Sequence, residues 1–279
     1  MKISIVTISY NQAPFLARAL NSVAEQDHPD IEYIVVDPGS TDGSREIIRQ
    51  YADRIAVLID EPDEGPADGL KKGFARVTGD VCGYINADDA LLPGALARVA
   101  AEFAARPEVD VISGHGYVVD GTGRVLARRR SDRFHPWLYA YGGVLLMQQS
   151  SFFRRQAYER VGGFNTANRT CWDAELFVDM ACAGSRFQVI DEYWSLFTLH
   201  EDSISGSGRL TEKYLADLRP LQARLLGHAP GPFEPACRLA ARLAKWARDP
   251  AGLATRVHDH LLSPPRPDLP DLEPAGRQP

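Results

Sequence analysis

Long apolar runs are missing from this sequence. None approaches the ~18 residues of a membrane span. The apolar stretch in "MKISIVTISYNQ" is too short for a signal peptide, and Ser9, Tyr10 and Asn11 interrupt it. Positive charge is not in excess. Lys and Arg number 31 against 37 Asp and Glu, a net charge of −6, which excludes a whole-molecule nucleic-acid footprint. Cysteine is scarce. Cys82, Cys171, Cys182 and Cys237 form no CxxC pair, which argues against a zinc site and fits a reduced, cytoplasmic protein. Two glycine signatures are absent as well. No GxGxxG follows the first apolar run, so a nicotinamide-dependent dehydrogenase lacks its motif, and no GxxxxGK[ST] marks a P-loop. The glycine-rich, arginine-containing loop of nucleotidyltransferases does not follow the first run either, and no internal repeat is present.

What is present is an alternation. The 279 residues suffice for one large α/β domain, or for one domain plus an appendage. "ISIVTIS" (3–9) reads as a buried strand, and Phe15, Leu16, Ala19, Leu20 and Val23 recur at helical spacing behind it. Asn11 is placed to cap that helix, with Pro14 in its first turn. Strands follow at 33–37, 55–60, 81–86 and 109–114, with helical segments between them. The pattern predicts a mainly parallel sheet covered on both faces. Beyond Gly114, residues 117–127 read as a hairpin around Asp120-Gly121, and 128–142 as a loop. "SSFFRRQAYERVGGF" reads as a short strand, a helical turn and a glycine stop. "FQVID" and "YWSLFTLH" read as two strands, and the chain is helical from about 209. The proline-rich stretch 263–279 is expected to be disordered.

Ligands of open α/β sheets bind at the carboxyl ends of the strands. Here those ends carry Ser9-Tyr10-Asn11, then Asp37, then Asp60, Glu61 and Asp63, then Asn86, Asp88 and Asp89. The adjacent pair Asp88 and Asp89 needs compensation. A hard divalent cation, which favours carboxylate and phosphate oxygens, would supply it. A turn ahead of the helix near Pro93, where the helix dipole favours acids, would also explain the pair, and both readings stand.

Four blocks occur in order at fitting spacing: "SIVTISYNQAPFLARALNSVAEQDHPDIEYIVVDPGSTDGS", "EPDEGPADGLKKGFARVTGDVCGYINADD", "QQSSFFRRQAYERVGGF" and "LHEDSIS". Over residues 3–205 they resemble a family 2 glycosyltransferase with the GT-A fold. The resemblance implies a Rossmann-like, mainly parallel sheet with helices on both faces and a C-terminal helical extension. It implies a catalytic domain over 1–205, the extension over 206–262 and the tail after it. The donor would be a nucleotide-sugar, a UDP-sugar first, touching Ser9, Tyr10, Asn11, Asp37, Asp68, Lys72 and Asp88. Mn²⁺ or Mg²⁺ would sit directly on Asp89, with His200 as a further contact. Asp173 would be the general base, and the helix dipole would keep it ionised at neutral pH. Glu175 is the alternative base, about 200° around the helix. The implied reaction is an inverting transfer to a hydroxyl of a glycan or lipid-linked acceptor, in bacterial surface-polysaccharide or glycoconjugate synthesis.

Several readings stay open. Pro38, Lys71 and Trp172 depart from the family pattern, which leaves room for a member that binds nucleotide-sugar or glycan without turnover. Thr170-x-x-Asp173 also reads as a capping box, and Trp172 as core or acceptor wall. Gln148, Gln149, Phe152 and Phe153 would floor the cleft or only pack, and Arg154 and Arg155 would reach phosphate or form a surface pair. The stretch 237–262 carries Arg238, Arg242, Lys245, Arg248 and Arg256 beside apolar residues. It reads either as helix packed on the catalytic domain or as a peripheral contact with the inner face of the plasma membrane.

Overall fold

Side chains alternate across the first strands, and that alternation decides which helices lie on which face. In the computed structural model, residues 1–200 and 211–262 are described. The chain opens with β1 (Ile3–Ile8), α1 (Ala13–Ala24), β2 (Ile31–Val36), α2 (Ser44–Gln50), β3 (Val57–Ile59), α3 (Pro66–Phe74) and β4 (Val81–Asn86). Then come β5 (Ala90–Leu91), α4 (Ala95–Ala105), β6 (Val111–Asp120), β7 (Val125–Arg129), α5 (Pro136–Ala140), β8 (Ser151–Arg154), α6 (Arg155–Arg160), α7 (Trp172–Cys182) and β9 (Phe187–Leu199). Three helices follow: α8 (Thr211–Leu226), α9 (Glu234–Arg248) and α10 (Pro250–Leu262).

Ile3 and Ile5, Tyr33 and Val35, and Val81 and Ile85 point to one face. There they bury Leu16 and Leu20 of α1, Ile48 of α2 and Leu96, Val99 and Phe103 of α4. Val6, Ile34, Val36, Cys82 and Tyr84 point to the other face, against Leu70 and Phe74 of α3, Tyr158 of α6 and Leu176, Phe177 and Met180 of α7. The period of two along each strand thus fills two separate cores. Gly73 lets α3 sit close: a Cβ there would lie 2.5 Å from a methyl of Val6.

The strand order is β3-β2-β1-β4-β8-β6-β9-β5, with β7 paired to β6. The sheet is mixed rather than mainly parallel. Neighbours among β1 to β4 are parallel, as are β6 and β9, whereas β8 runs antiparallel between β4 and β6. The sequence supplied no sign of that insertion, because four residues of strand carry no information about direction. The two strands expected at 187–191 and 193–200 are one. Register shifts opposite Ser113 to Gly116 bend β9, so Asp191 and Glu192 leave the sheet and pair with Arg130 and Arg98 without breaking the strand. The expected loop at 128–142 contains the short α5.

Asn11 does not cap α1. Gln12 occupies the cap position without a side-chain bond. Asn11 is left-handed (φ 52°) and its Oδ1 accepts from Thr41 N at 2.9 Å, so it ties the β1 loop to the β2 loop.

The C-terminal helices pack on the same body. Ala241 of α9 is buried against Leu138, Ala140 and Tyr141. Asp259 of α10 accepts from the guanidinium and backbone of Arg128 on β7. The stretches 201–210 and 263–279 lie outside the described residues. The "EDSIS" of the fourth block, the expected boundary near 205 and the expected tail fall there.

At the amino ends of the strands, Glu32 is a buried clamp. It accepts from Lys2 Nζ (2.7 Å), Ser4 Oγ (2.6 Å), and Thr78 N and Oγ1 (2.7 and 2.6 Å). Burial opposes its charge, but these four donors win and hold the carboxyl down at about 2. The folded value lies below the unfolded one, so this stabilisation is full above the ordinary glutamate range. It fades as pH falls toward 2. Glu32→Gln is expected to cost about 1–3 kcal/mol of unfolding free energy at pH 7. In urea titrations the gap between variant and wild type should close as pH approaches 2. A gap that stays constant with pH would contradict this account.

Candidate active site

Four strand ends and two later segments enclose a cleft of about 820 Å³ at the carboxyl edge of the sheet. Ile8, Ser9 and Tyr10 come from the end of β1, Pro38 from β2, Pro62, Asp63 and Gly65 from the β3–α3 loop, and Asn86 to Asp88 from β4. The far wall is Leu145 to Gln149, together with Thr170, Trp172 and Asp173 at the start of α7. The volume suits a ligand the size of a nucleotide-sugar.

Asp88 and Asp89 occupy different surroundings. Asp89 is fully buried. Its Oδ1 accepts from Thr198 N (3.0 Å), and its Oδ2 from Gln149 Nε2 (2.9 Å) and Asn86 Nδ2 (3.2 Å). Burial, and then the neighbouring Asp88, push its carboxyl well above the usual carboxylate range, against the pull of those donors. Asp88 instead lines the cleft, with His200 Nε2 at 3.1 Å from its Oδ2. Both Asp89 oxygens are thus engaged by protein donors, whereas Asp88 lines the cleft.

The compensating cation inside the protein is Arg18. Its guanidinium, on α1, donates to the Asp88 carbonyl (2.9 Å) and to Thr198 Oγ1 (2.5 Å). Burial lowers its pKa, while Asp89 and Asp88 resist that shift. Sequence reasoning passed over Arg18 because an arginine at that helical position looks like an ordinary surface residue.

The cleft residues also fit a divalent ion. Among the described residues no three His, Cys, Asp or Glu side chains converge. Asp88 and His200 do converge, and the buried Oδ1 of Asn86, two residues before Asp88, has no hydrogen-bond partner. Such a partial oxygen and nitrogen set is what Mg²⁺ or Mn²⁺ completes with phosphate oxygens and water.

The remaining expected donor residues divide in the same way. Ser9 is buried, lines the cleft, and its Oγ has no partner. Tyr10 lines the cleft and is exposed. Asp37 is consumed by its own turn: Oδ1 accepts from Gly39 N and Ser40 N, and Oδ2 from Ser40 Oγ. Pro38, not Asp37, reaches the cleft from that loop. Asp68 caps the β3–α3 loop through Glu64 N and pairs with Lys72, whose Nζ donates to Pro62 O at 2.5 Å. These two brace the loop from behind and are not cleft residues, and Asn11 is likewise a loop tie. The acid that the loop does present is Asp63, raised above its ordinary value by burial.

Asp173 stands on the opposite wall in the first turn of α7. The capping box does not form: Cys171 holds the cap position without a side-chain bond, and Thr170 Oγ1 donates to Asp217 of α8 (2.6 Å). Burial raises the Asp173 carboxyl above its ordinary value, opposed by the N–H groups of Ala174 and of Asp173 itself. Desolvation therefore outweighs those N–H groups in setting the direction of the shift. The phenols of Tyr84, Tyr139 and Tyr214 surround it, each pushed up by burial and then by the Asp173 charge. Tyr214 belongs to α8, so the helical extension comes near Asp173, although Tyr214 is itself exposed and does not line the cleft. Trp172 both packs in the core and lines the cleft.

Glu175 is not a second base. It accepts from Asn165, Asn168 and Arg224 and faces away from the cleft. Gln148 donates to Tyr84 O (2.8 Å) and floors the cleft beside Gln149. Phe152 and Phe153 are core. Arg154 and Arg155 bind carbonyls at the other end of β4 (Val109, Phe103, Arg106 and Gly79), far from any phosphate in the cleft.

Comparison with known proteins follows the same outline. The family model described as "Glycosyl transferase family 2" matches residues 4–194. An uncharacterized glycosyltransferase of Nostoc sp. is 38% identical over 130 residues, 45% of this chain and 40% of that protein. The O-antigen biosynthesis protein RfbC of Myxococcus xanthus is 30% identical over 212 residues, 74% of this chain and 16% of that protein. A PGL/p-HBAD biosynthesis glycosyltransferase of Mycobacterium bovis is 26% identical over 233 residues, 80% of this chain and 85% of that protein. The chain thus spans less than half the length of the first two. Among solved structures, mannosyltransferase PcManGT from Pyrobaculum calidifontis, in complex with GDP-Man and Mn²⁺, shares the fold with a TM-score of 0.63 at 21% identity, covering 95% of this chain and 76% of that one. S. aureus TarS 1-349 in complex with UDP-GlcNAc gives a TM-score of 0.63 at 19% identity, covering 92% and 76%.

The two adjacent aspartates should respond differently to substitution. Asp89→Ala strands Thr198 N, Gln149 and Arg18 in the interior and is expected to cost about 2–4 kcal/mol of unfolding free energy. Asp88→Asn, at the open side, is expected to change it by less than about 1 kcal/mol. Chemical denaturation of both variants measures this, and equal losses would mean that the pair is not divided as described.

Proposed function

The chain belongs to glycosyl transferase family 2, and on that premise we propose that it transfers a sugar from a nucleoside-diphosphate donor to a hydroxyl of a glycan or lipid-linked acceptor. The observation that carries this reading is the cleft itself. A partly engaged acid, Asp88, stands on one wall and a half-buried carboxylate, Asp173, on the other, with space for a nucleotide-sugar between them. A UDP-sugar is the first donor to test, with GDP-sugars next. The structures of the same fold with UDP-GlcNAc and with GDP-Man support that choice. Relatives named for O-antigen and PGL/p-HBAD biosynthesis support a role in surface polysaccharide or glycolipid assembly.

The proposed steps follow from the side chains. Ser9 Oγ and Asn86 Oδ1, both without partners, are the polar atoms available to donor hydroxyls or amides. Pro38 offers only an apolar surface from the β2 loop, so recognition there is by packing. Gln148 and Gln149 fix the floor through Tyr84 O and Asp89. Asp173 accepts the proton of the acceptor hydroxyl as that oxygen attacks the anomeric carbon. The bond to the diphosphate breaks and the diphosphate departs with the electron pair, in one displacement that inverts the anomeric centre. Its raised affinity for a proton makes it a stronger base than an exposed aspartate, provided the medium leaves it deprotonated. Asp88 and His200 would hold Mn²⁺ or Mg²⁺, which when bound neutralises the charge on the leaving diphosphate.

Transfer or donor hydrolysis, measured with UDP- and GDP-sugars plus Mn²⁺, tests the proposal. Asp173→Asn is expected to lower kcat by about 10²–10⁴-fold while donor KM changes little. Because the base works deprotonated, kcat/KM in wild type should fall on acidification through a pKa above the ordinary aspartate value. Chelation should remove activity, and Asp88→Asn should weaken Mn²⁺ binding. Nucleotide binding with no turnover across donors and acceptors would instead identify a binding protein on the same scaffold.

A further inference from the structure

Two consecutive helices turn apolar side chains to the solvent. On α9, Leu239, Leu243 and Trp246 are 60, 52 and 40% exposed, spaced i, i+4, i+7 on the side opposite buried Ala241. On α10, Leu253, Val257 and Leu261 are 37, 50 and 71% exposed, spaced i, i+4, i+8 on the side opposite Asp259 and its partner Arg128. Phe233, just before α9, is 78% exposed. These helices are amphipathic in the usual sense, but the apolar stripe of each faces outward, and the inward face is held by small residues and ion pairs. Lys245 binds Asp132 (2.5 Å) and Arg128 binds Asp259 (2.6 Å), which fixes the rotation of both helices. Large apolar side chains arranged in a stripe, rather than scattered singly, mark a docking surface.

We propose that the outer faces of α9 and α10 dock on an anionic lipid surface. Charge selects that occupant. The chain carries a net −6, yet residues 237–262 hold Arg238, Arg242, Lys245, Arg248 and Arg256 against only Asp249 and Asp259. Arg242 is exposed beside the apolar stripe, and Arg129 and Arg133 are exposed on the neighbouring strand and loop. Apolar residues entering the headgroup region with arginines alongside is the pattern of a helix lying in a membrane interface. A second copy of the chain would set the same arginines against one another. No helix among the described residues is long and apolar enough to cross a membrane, so the contact is peripheral.

Co-sedimentation of the full chain with vesicles tests this without reference to catalysis. Binding is expected to vesicles of phosphatidylcholine containing phosphatidylglycerol, weak binding to phosphatidylcholine alone, and release at high salt. Leu239→Glu combined with Leu243→Glu is expected to weaken binding about tenfold or more, with circular dichroism and melting unchanged because both positions are exposed. Should that variant misfold, Arg242→Ala is expected to lower binding to anionic vesicles about fivefold and leave binding to neutral ones as it was. Failure of wild type to bind anionic vesicles at low salt overturns the proposal. So does binding indifferent to both variants, or a dimer in light scattering that the leucine substitutions dissolve.

Discussion

A buried guanidinium against two adjacent carboxylates is the constraint on which the site depends. Arg18 reaches from α1 to the backbone of Asp88 and to Thr198 on β9, and its charge lies beside both acids. Asp89 completes the joint by accepting from Thr198 N and from Gln149. Four segments distant in sequence (α1, the end of β4, the turn before β8 and the end of β9) therefore meet at one ionic centre. Removing the fully buried Asp89 leaves Arg18 and the donors of Thr198 and Gln149 without their partner, which is costlier than never having built the group. This centre fixes where Asp88 emerges into the cleft.

The carboxylates of the strand ends sort by how many donors they already have. Asp37, Asp89 and Glu175 are saturated by protein N–H, hydroxyl or guanidinium groups, and they shape loops. Asp63, Asp88 and Asp173 line the cleft. A saturated acid has spent its lone pairs and cannot also bind a ligand without first breaking those bonds. The chain thus uses one residue type for two purposes, and the distinction lies in the neighbouring donors.

That distinction also explains what the sequence made legible. The alternating elements, the carboxyl edge as ligand side and Asp173 at the start of a helix followed from local patterns, because period and strand-end position are written in neighbouring residues. Which of Asp88 and Asp89 is buried did not. Their order in "NADD" is the same whichever one is buried, and the deciding donors, Gln149 and Thr198, are 60 and 109 residues away. Arg18 and Tyr214 were missed for the same reason, since each reaches the site only through tertiary packing. The strand β8 was legible in "SSFF", but its antiparallel direction was not, because so short a strand has no directional signal.

The C-terminal helices join the cleft to the outer surface through one small element, α5. Leu138 and Ala140 of α5 pack on Ala241 of α9, and Ala140 O accepts from Gln222 of α8. On its other side α8 carries Tyr214 toward Asp173 and binds Thr170 through Asp217. The helices that present leucines to solvent are therefore braced against the same segment that supports the wall around the base. Had the extension been only a solubilising cap, polar residues would face outward. Instead its outer surface is left apolar, while its inner side brings Tyr214 near enough to Asp173 for that charge to add to burial in raising the phenol.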